Sequence, residues 1–275
     1  MNRPNAQDMK VLANMMKSTI GFDLQDYKTV LVRTRLQKVA LKHNMNLDEF
    51  LDYVNAKGTS LPQNVMMDII NKIVTFETYF FREDKHIKSL VDMVKELIDG
   101  GKNSVRIWSA GASFGQEPYS ILMAIHSILG QYYYNKVTVV ATDYSDYPLQ
   151  RVKSGKYSKN EIGRCTTGWQ HILNKYVVDM GDDVYKINLP DITNRLFTSQ
   201  HLLVSEKDNI GLFDIIFCKN VMIYMDTETR EKVLTVISKH MSHDTKLFVG
   251  MSESLLYNRA KFSVHRDEWS TYYKI

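Results

Sequence analysis

The chain has 275 residues, of which 44% are hydrophobic and 24% charged, and its formal net charge is +4. This length supports one large domain or two small ones, and the modest charge is far from that of a protein that coats nucleic acid. The two cysteines, Cys165 and Cys218, imply no disulfide framework, so the cytoplasm is the expected compartment. We find no apolar signal region and no run of membrane-spanning length, so membrane insertion is not expected.

Residues 1–84 are predicted to form an all-helical domain, because their apolar residues recur at helical spacing. Two pairs of residues resemble capping boxes, Asp23 with Asp26 and Asn46 with Glu49. The helices are expected at about 24–43, 46–55 and 61–74, and a further helix at about 85–98 is closed by two glycines.

Residues 85–275 are predicted to form a second domain, in which strands and helices alternate from Val105 onward. This alternation favours an open, mostly parallel α/β sheet. The strands are expected at 105–109, 137–142, 213–218 and 247–251, with an antiparallel pair within 262–273. The helices are expected at about 118–129, 147–154 and 227–241. Residues 176–178, 184–187 and 196–199 are predicted to form a small antiparallel insertion within a β-subdomain of about 165–205.

The stretch from Arg106 to Ser120 is the most informative in the chain. A short apolar strand leads into a loop of small residues, and a helix begins near Pro118. Gly111 and Gly115 let the backbone of this loop come close to a polar ligand at the helix N-terminus.

Polar residues also follow the other predicted strands, and ligands of such sheets bind beyond the carboxyl ends of the strands. Glu117 follows the loop, Asp143 follows the second strand, and the pair 219–220 follows the third. An acidic residue in the place of Asp143 can accept both hydroxyls of a ribose. Taken singly, Glu117 and Asp143 are equally well explained as helix caps, but together with the loop they indicate a nucleoside ligand.

The loop also fits the G-x-S-x-G pattern of serine hydrolases, with Ser113 as the nucleophile and a downstream histidine such as His240, His243 or His265. The helical character of everything before Val105 disfavours this alternative. No metal site is expected, because His240 and His243 lack a third ligand, and Asp179, Asp182 and Asp183 lack calcium-loop spacing.

Five ordered segments resemble the CheR family, the bacterial chemotaxis receptor methyltransferases. They are Phe76–Glu83, Trp108–Ser120, Ala141–Asp143, Phe213–Tyr224 and Gly250–Leu255. The resemblance implies a helical domain followed by a Rossmann-like methyltransferase sheet with a small antiparallel β insertion. It implies O-methylation of glutamate side chains on the cytoplasmic part of chemoreceptors, which adjusts their signalling. The cofactor would be S-adenosylmethionine, with S-adenosylhomocysteine as product, and a monomer is expected.

The resemblance also implies roles for individual residues of this sequence. Arg82 and Tyr224 would lie near the transferred methyl group. The cofactor would be bound by residues in the first four matching segments and in the stretch before Leu203, namely Thr78, Arg82, Gly111, Glu117, Asp143, His201, Leu202, Lys219 and Asn220. A nucleic-acid methyltransferase is disfavoured, because no proline follows Asn220 and the net charge is small.

The sequence departs from the family pattern in the cofactor segments. Asn is usual at Phe76 and His201, Arg at Lys219, Thr at Phe114 and Glu at Gln116. These departures leave two interpretations open: a divergent, active methyltransferase, or a catalytically weak relative that serves as a receptor-binding or regulatory interaction module.

A basic stripe is predicted on the second helix. Lys28, Arg35 and Lys42 recur every seven residues, and Lys38 lies beside them. An ordinary solvated face would give the same pattern, but an acidic receptor substrate favours a docking role for these four residues.

Overall fold

The computed structural model describes residues 6–24, 29–207, 209–255, 258 and 261–275. Two compact units make up the chain. The first comprises residues 1–76 and 224–232, and the second comprises residues 77–223 and 233–275. The predicted boundary at 84/85 therefore stays a prediction, since the units are interleaved along the sequence.

The first unit is built from helices with one apolar face each. They are α1 (Ala6–Ile20), α2 (Thr29–Lys42), α3 (Leu47–Lys57) and α4 (Gln63–Ile73). The capping box of α3 is confirmed, because Glu49 N–H donates to Asn46 Oδ1 and Asn46 N–H donates to Glu49 Oε2. The other predicted capping box cannot be followed, because Asp26 lies outside the described residues.

The second unit contains a seven-stranded sheet and its flanking helices. The strands of the whole unit, in chain order, are β1 (Val105–Ala110), β2 (Val137–Asp143), β3 (Lys156–Ser158), β4 (Val177–Asp179), β5 (Val184–Ile187), β6 (Leu196–Gln200), β7 (Phe213–Cys218), β8 (Met241–Val249), β9 (Ser263–Arg266) and β10 (Thr271–Lys274). The helices are α5 (Asp84–Asp99), α6 (Gln116–Ala124), α7 (Gln131–Tyr134), α8 (Asp146–Ser154), α9 (Lys159–Gly163), α10 (Gln170–Leu173) and α11 (Thr227–Ser238), the last of which begins in residues of the first unit.

The large sheet has the strand order β6-β2-β1-β7-β8-β10-β9. Its first five strands are parallel, whereas β10 pairs antiparallel with both β8 and β9. The central strands are buried on both faces, which explains their nearly continuous apolar sequences. The parallel sheet and its antiparallel end strands are thus as predicted, and the carboxyl ends of β1, β2 and β7 lie along one edge.

One predicted strand belongs to a different sheet from the one expected. The sequence predicts Leu196–Ser199 in the antiparallel insertion, but the strand Leu196–Gln200 pairs parallel with β2 at the edge of the large sheet. The small sheet instead has the order β3-β5-β4, so its third strand is Lys156–Ser158. The prediction was wrong because an edge strand carries polar, exposed residues and lacks the apolar run of a central parallel strand.

Among the residues that the structure describes, no helix is long and apolar enough to cross a membrane.

Candidate active site

The loop after β1 is shaped by two glycines in left-handed backbone conformations, Gly111 with φ of +76° and Gly115 with φ of +94°. Neighbouring side chains also leave no room for a Cβ at either position. It would lie 2.5 Å from Val221 Cγ2 at Gly111 and 2.9 Å from Val152 Cγ2 at Gly115. Both glycines are therefore required by conformation and by space, and the loop can hold its N–H groups toward the end of the sheet.

Asp143 at the end of β2 receives one hydrogen bond from this loop. Its Oδ2 accepts from Ser113 N–H at 2.9 Å, while its Oδ1 is buried and has no hydrogen-bond partner within the described residues. Burial raises the pKa of the carboxyl to about 7, and nearby backbone N–H groups act in the opposite direction. Such a carboxyl can take a hydroxyl donor on its open oxygen.

Two further buried atoms after β1 lack partners within the described part of the chain, Ser113 Oγ in the loop and Gln116 Oε1 at the first residue of α6. Ser113 also has a left-handed backbone, with φ of 52°. Buried polar groups are almost always paired, and non-glycine residues in this conformation are concentrated at functional sites. Three open polar atoms at the ends of β1 and β2 therefore fit a bound polar ligand, and Asp143 fits the ribose of a nucleoside.

Lys219 after β7 lies in a buried cluster of charges. Its Nζ is 3.2 Å from Glu117 Oε2 and 3.8 Å from Glu83 Oε2, and it donates to the Arg82 carbonyl at 3.2 Å. Only 3% of the Lys219 side chain is exposed. Ser109 Oγ donates to the other Glu117 oxygen at 2.7 Å, so this carboxylate is held from two sides. The ammonium of Lys219 offsets the buried negative charge where the family has Arg.

Glu83 connects the start of α5 to the ends of β7 and β8. Its Oε1 accepts from Met251 N–H at 3.2 Å and from Asn220 Nδ2 at 3.4 Å. Burial alone would raise the pKa of this carboxyl, but His86, Lys219 and the Met251 N–H together lower it to about 2. Glu83 is therefore an ionised group that fixes the position of Asn220.

Glu253, which follows the end of β8, fixes the backbone of the turn after β7. Its carboxylate accepts N–H groups of Asn220 at 2.6 Å, Gly250 at 2.8 Å and Ile223 at 3.1 Å. Sequence reasoning placed Glu83 and Glu253 in family segments without assigning either of them a role. The available signal was an acidic residue next to a strand end, and such a residue is equally common as a surface charge.

The structure brings most of the predicted cofactor residues to one edge of the sheet in the second unit. Gly111, Glu117, Asp143, Lys219 and Asn220 meet there as described above. His201 is buried beside them, and its N–H donates to the Asp143 carbonyl at 3.0 Å.

The other predicted residues differ in setting. Thr78 and Leu202 are half-buried in the same unit. Arg82 is half-buried too, with its Nη1 donating to the Glu77 carbonyl at 2.9 Å. Tyr224 belongs to the first unit, where its ring stacks on Phe22 with centroids 5.3 Å apart.

Phe114 packs against residues of α8. Its ring packs edge-on against Tyr147 of α8, with centroids 5.9 Å apart, and the Arg151 guanidinium lies 5.1 Å from its centroid. The large side chain of Phe114 is thus accommodated by packing against α8. Among the departures from the family pattern, Phe114 and Lys219 are both accommodated by local contacts.

The hydrolase alternative lacks a catalytic base. Ser113 Oγ has no hydrogen-bond partner in the described ranges, so no described histidine can activate it. His240 lies 2.9 Å from the Gly211 carbonyl, and His265 bonds to Ser263. No group of three metal-ligating side chains is found in the part of the chain that the structure describes.

The strand order, with its antiparallel strand inserted before the last edge, and the glycine loop define a Rossmann-like methyltransferase. The family model "CheR methyltransferase, SAM binding domain" matches residues 76–271. The chain belongs to the CheR family of S-adenosylmethionine-dependent methyltransferases.

Several curated proteins are similar over nearly their whole length. A chemotaxis protein methyltransferase of Borreliella burgdorferi is 30% identical over 92% of this chain and 89% of its own. A chemotaxis protein methyltransferase of Vibrio cholerae is 30% identical over 98% of this chain and 97% of its own. One of Pseudomonas aeruginosa is 32% identical over 93% of this chain and 92% of its own. The similarity to these relatives therefore extends over nearly the whole of this chain.

Proposed function

We propose that this chain methylates glutamate side chains on the cytoplasmic part of chemoreceptors. The observation that supports this most directly is the cluster of open buried polar atoms on Asp143, Ser113 and Gln116, which fits the nucleoside part of S-adenosylmethionine. The chemotaxis methyltransferases among its relatives support the choice of receptor as substrate.

The reaction makes few chemical demands on the protein. A glutamate carboxylate is already ionised near neutral pH, so the nucleophile needs no general base. S-adenosylmethionine supplies an electrophilic methyl group. The chain must align the carboxylate and exclude water. The ester product lacks the negative charge of the substrate, and this change in charge can carry the signal.

Arg82 and Tyr224 are proposed to act on the substrate carboxylate. A guanidinium has five N–H donors, and one nitrogen of Arg82 is engaged with the Glu77 carbonyl. The remaining donors of Arg82 can hold a carboxylate.

Arg82→Ala and Tyr224→Phe should each reduce methyl transfer to receptor-containing membranes about 100-fold, the usual loss when an oriented donor is removed. The measurement is transfer of radiolabelled methyl groups, with the exposed Lys57→Ala as control. Equal activity in all three proteins would contradict these roles.

The cofactor assignment has its own test. Calorimetric titration with S-adenosylmethionine and S-adenosylhomocysteine should show binding of both ligands. Absence of binding at millimolar concentrations would contradict the proposed enzymatic function. It would favour the alternative, a receptor-binding or regulatory interaction module.

The basic stripe on α2 is only partly available for docking. Arg35 donates to the Ile73 carbonyl and to Thr75 Oγ1, so it caps the end of α4. Lys42 pairs with Asp68 at 2.6 Å, Lys38 is exposed, and Lys28 lies outside the described residues. Lys38 is therefore the residue with which to test receptor docking, since replacing Arg35 would also disturb α4.

Lys38→Glu should weaken binding to receptor-containing membranes several-fold and reduce its dependence on salt, because a long-range attraction is removed. Co-sedimentation at two ionic strengths measures this, with the equally exposed Lys57→Glu as control. Unchanged binding at low salt would rule out the docking role.

A further inference from the structure

One residue of the small antiparallel sheet, Tyr157, packs against the loop that follows β1. Tyr157 of β3 is 2% exposed, and its hydroxyl donates to the Phe114 carbonyl at 2.7 Å. The same hydroxyl would lie 3.0 Å from a Cβ placed on Gly115. Tyr157 therefore fills the space behind the loop and bonds to its backbone.

The loop contains one residue in a strained backbone conformation, Ser113. Gly111, Ser113 and Gly115 all have positive φ. Glycine adopts this left-handed conformation easily, whereas serine, which has a Cβ, does so at an energetic cost. The carboxylate of Asp143 holds the Ser113 N–H on one side. The hydroxyl of Tyr157 holds the carbonyl of the following residue, Phe114.

Arg151 fixes Tyr157 and Phe114 relative to each other. Its guanidinium lies 5.6 Å from the Tyr157 ring centroid and 5.1 Å from that of Phe114. It also bonds to both carboxylate oxygens of Glu161, at 2.9 and 3.0 Å, which immobilises it. The contact between β3 and the loop is thus one ordered cluster.

We propose that Tyr157 is a positioning residue for cofactor binding, which acts by holding the Ser113–Phe114 segment against Asp143. This inference rests on the proposed function, because it assigns the loop to S-adenosylmethionine. Tyr157 acts on the loop through its backbone, at the Phe114 carbonyl, so we expect its loss to lower affinity for the cofactor and to leave the methyl-transfer step intact.

The test is Tyr157→Phe, which keeps the buried ring and removes only the hydroxyl. Tyr134→Phe is the matched control: its ring is also buried, and its hydroxyl donates at the same distance of 2.7 Å, but to the Pro190 carbonyl. Both variants lose one buried hydrogen bond, so their thermal stabilities should fall by similar amounts.

Tyr157→Phe should raise the Kd for S-adenosylhomocysteine and the KM for S-adenosylmethionine about tenfold, in line with one lost hydrogen bond in a strained loop. Its kcat at saturating cofactor should stay within about twofold of the unmodified protein, as expected when ground-state and transition-state binding are lost together. Hydrogen exchange of the loop amides in the free protein should also become faster. Tyr134→Phe should show none of these changes.

Unchanged Kd and loop exchange in Tyr157→Phe would overturn the inference, as would an equal change in Tyr134→Phe. In either case the unmodified protein would still bind and use the cofactor, so the proposed function would stand. Failure of the unmodified protein to bind the cofactor would overturn both.

Discussion

Asp143→Asn is expected to weaken S-adenosylmethionine binding about 100-fold and, at the same time, to make the free protein more stable. The amide can still accept the Ser113 N–H, but it presents an N–H₂ group where Asp143 has an open carboxylate oxygen. The ligand's hydroxyls then lose their acceptor. The free protein gains because a buried carboxylate, one of whose oxygens has no partner among the described residues, has been removed.

The pH dependence of this prediction has a definite sign. The pKa of Asp143 is about 7 in the folded protein and 3.8 ordinarily, so the folded state holds a proton that the unfolded state has lost. Stability therefore falls as pH rises from about 4 to 7 in the unmodified protein, and Asp143→Asn escapes this fall. The variant's advantage is on the order of 4 kcal/mol above pH 7 and disappears near pH 4.

Cofactor affinity should follow the same ionisation. In the unmodified protein it should decrease about tenfold from pH 8 to pH 6, since only the ionised carboxylate is a strong acceptor. Calorimetry and thermal unfolding at pH 4, 6 and 8 measure both effects, with the half-exposed Asp146→Asn as control. If Asp143→Asn binds the cofactor normally, Asp143 is not the ribose ligand.

Lys219→Met is expected to destabilise the protein by about 3–5 kcal/mol, because two carboxylates would stay buried without their counter-charge. These are Glu117 and Glu83, at 3.2 and 3.8 Å from the Lys219 ammonium. Urea unfolding at pH 7 measures the loss. Lys219→Arg, which restores the residue usual in the family, should keep most of the stability because it keeps the charge.

An exposed ion pair provides the comparison. Lys232 and Glu228 lie 2.7 Å apart on α11, and both side chains are more than half exposed. Lys232→Met should therefore change the free energy of unfolding by less than about 1 kcal/mol. A similar effect of the two substitutions would show that the Lys219 cluster is screened by solvent.

Acid should reduce the difference between Lys219→Met and the unmodified protein. The pKa of Glu83 is lowered from 4.5 to about 2 by its neighbours, so its ionised form stabilises the fold above about pH 4.5. That contribution disappears as pH falls toward 2. The difference in stability between the two proteins should narrow over the same interval.

The sequence was sufficient to predict the architecture because the relevant signals are local. The buried strands β1 and β7 are continuous apolar runs, and the capping box of α3 is set by Asn46 and Glu49. Gly111 and Gly115 indicated a ligand-binding loop after β1, and Asp143 indicated a carboxylate at the end of the next predicted strand. These features depend on short-range patterns that any reader of the sequence can count.

The parts that could not be predicted depend on contacts between distant residues. Leu196–Gln200 looks like an insertion strand until its partner β2 is known. Tyr157 and Phe114 are 43 residues apart, and nothing in either segment indicates that the hydroxyl of one meets the carbonyl of the other. Glu83 is buried by residues far along the chain, so its sequence neighbourhood suggests only an ordinary helix start.

Because the two units are interleaved along the sequence, a single cut in the chain cannot separate them. Tyr224 lies with residues 1–76, where its ring meets Phe22 and its carbonyl accepts the Asp23 N–H at 2.8 Å. A fragment that starts at residue 85 would keep Tyr224 but lose both of these neighbours. Since Tyr224 is proposed to act on the substrate, we expect a fragment that lacks residues 1–76 to lose activity along with these contacts.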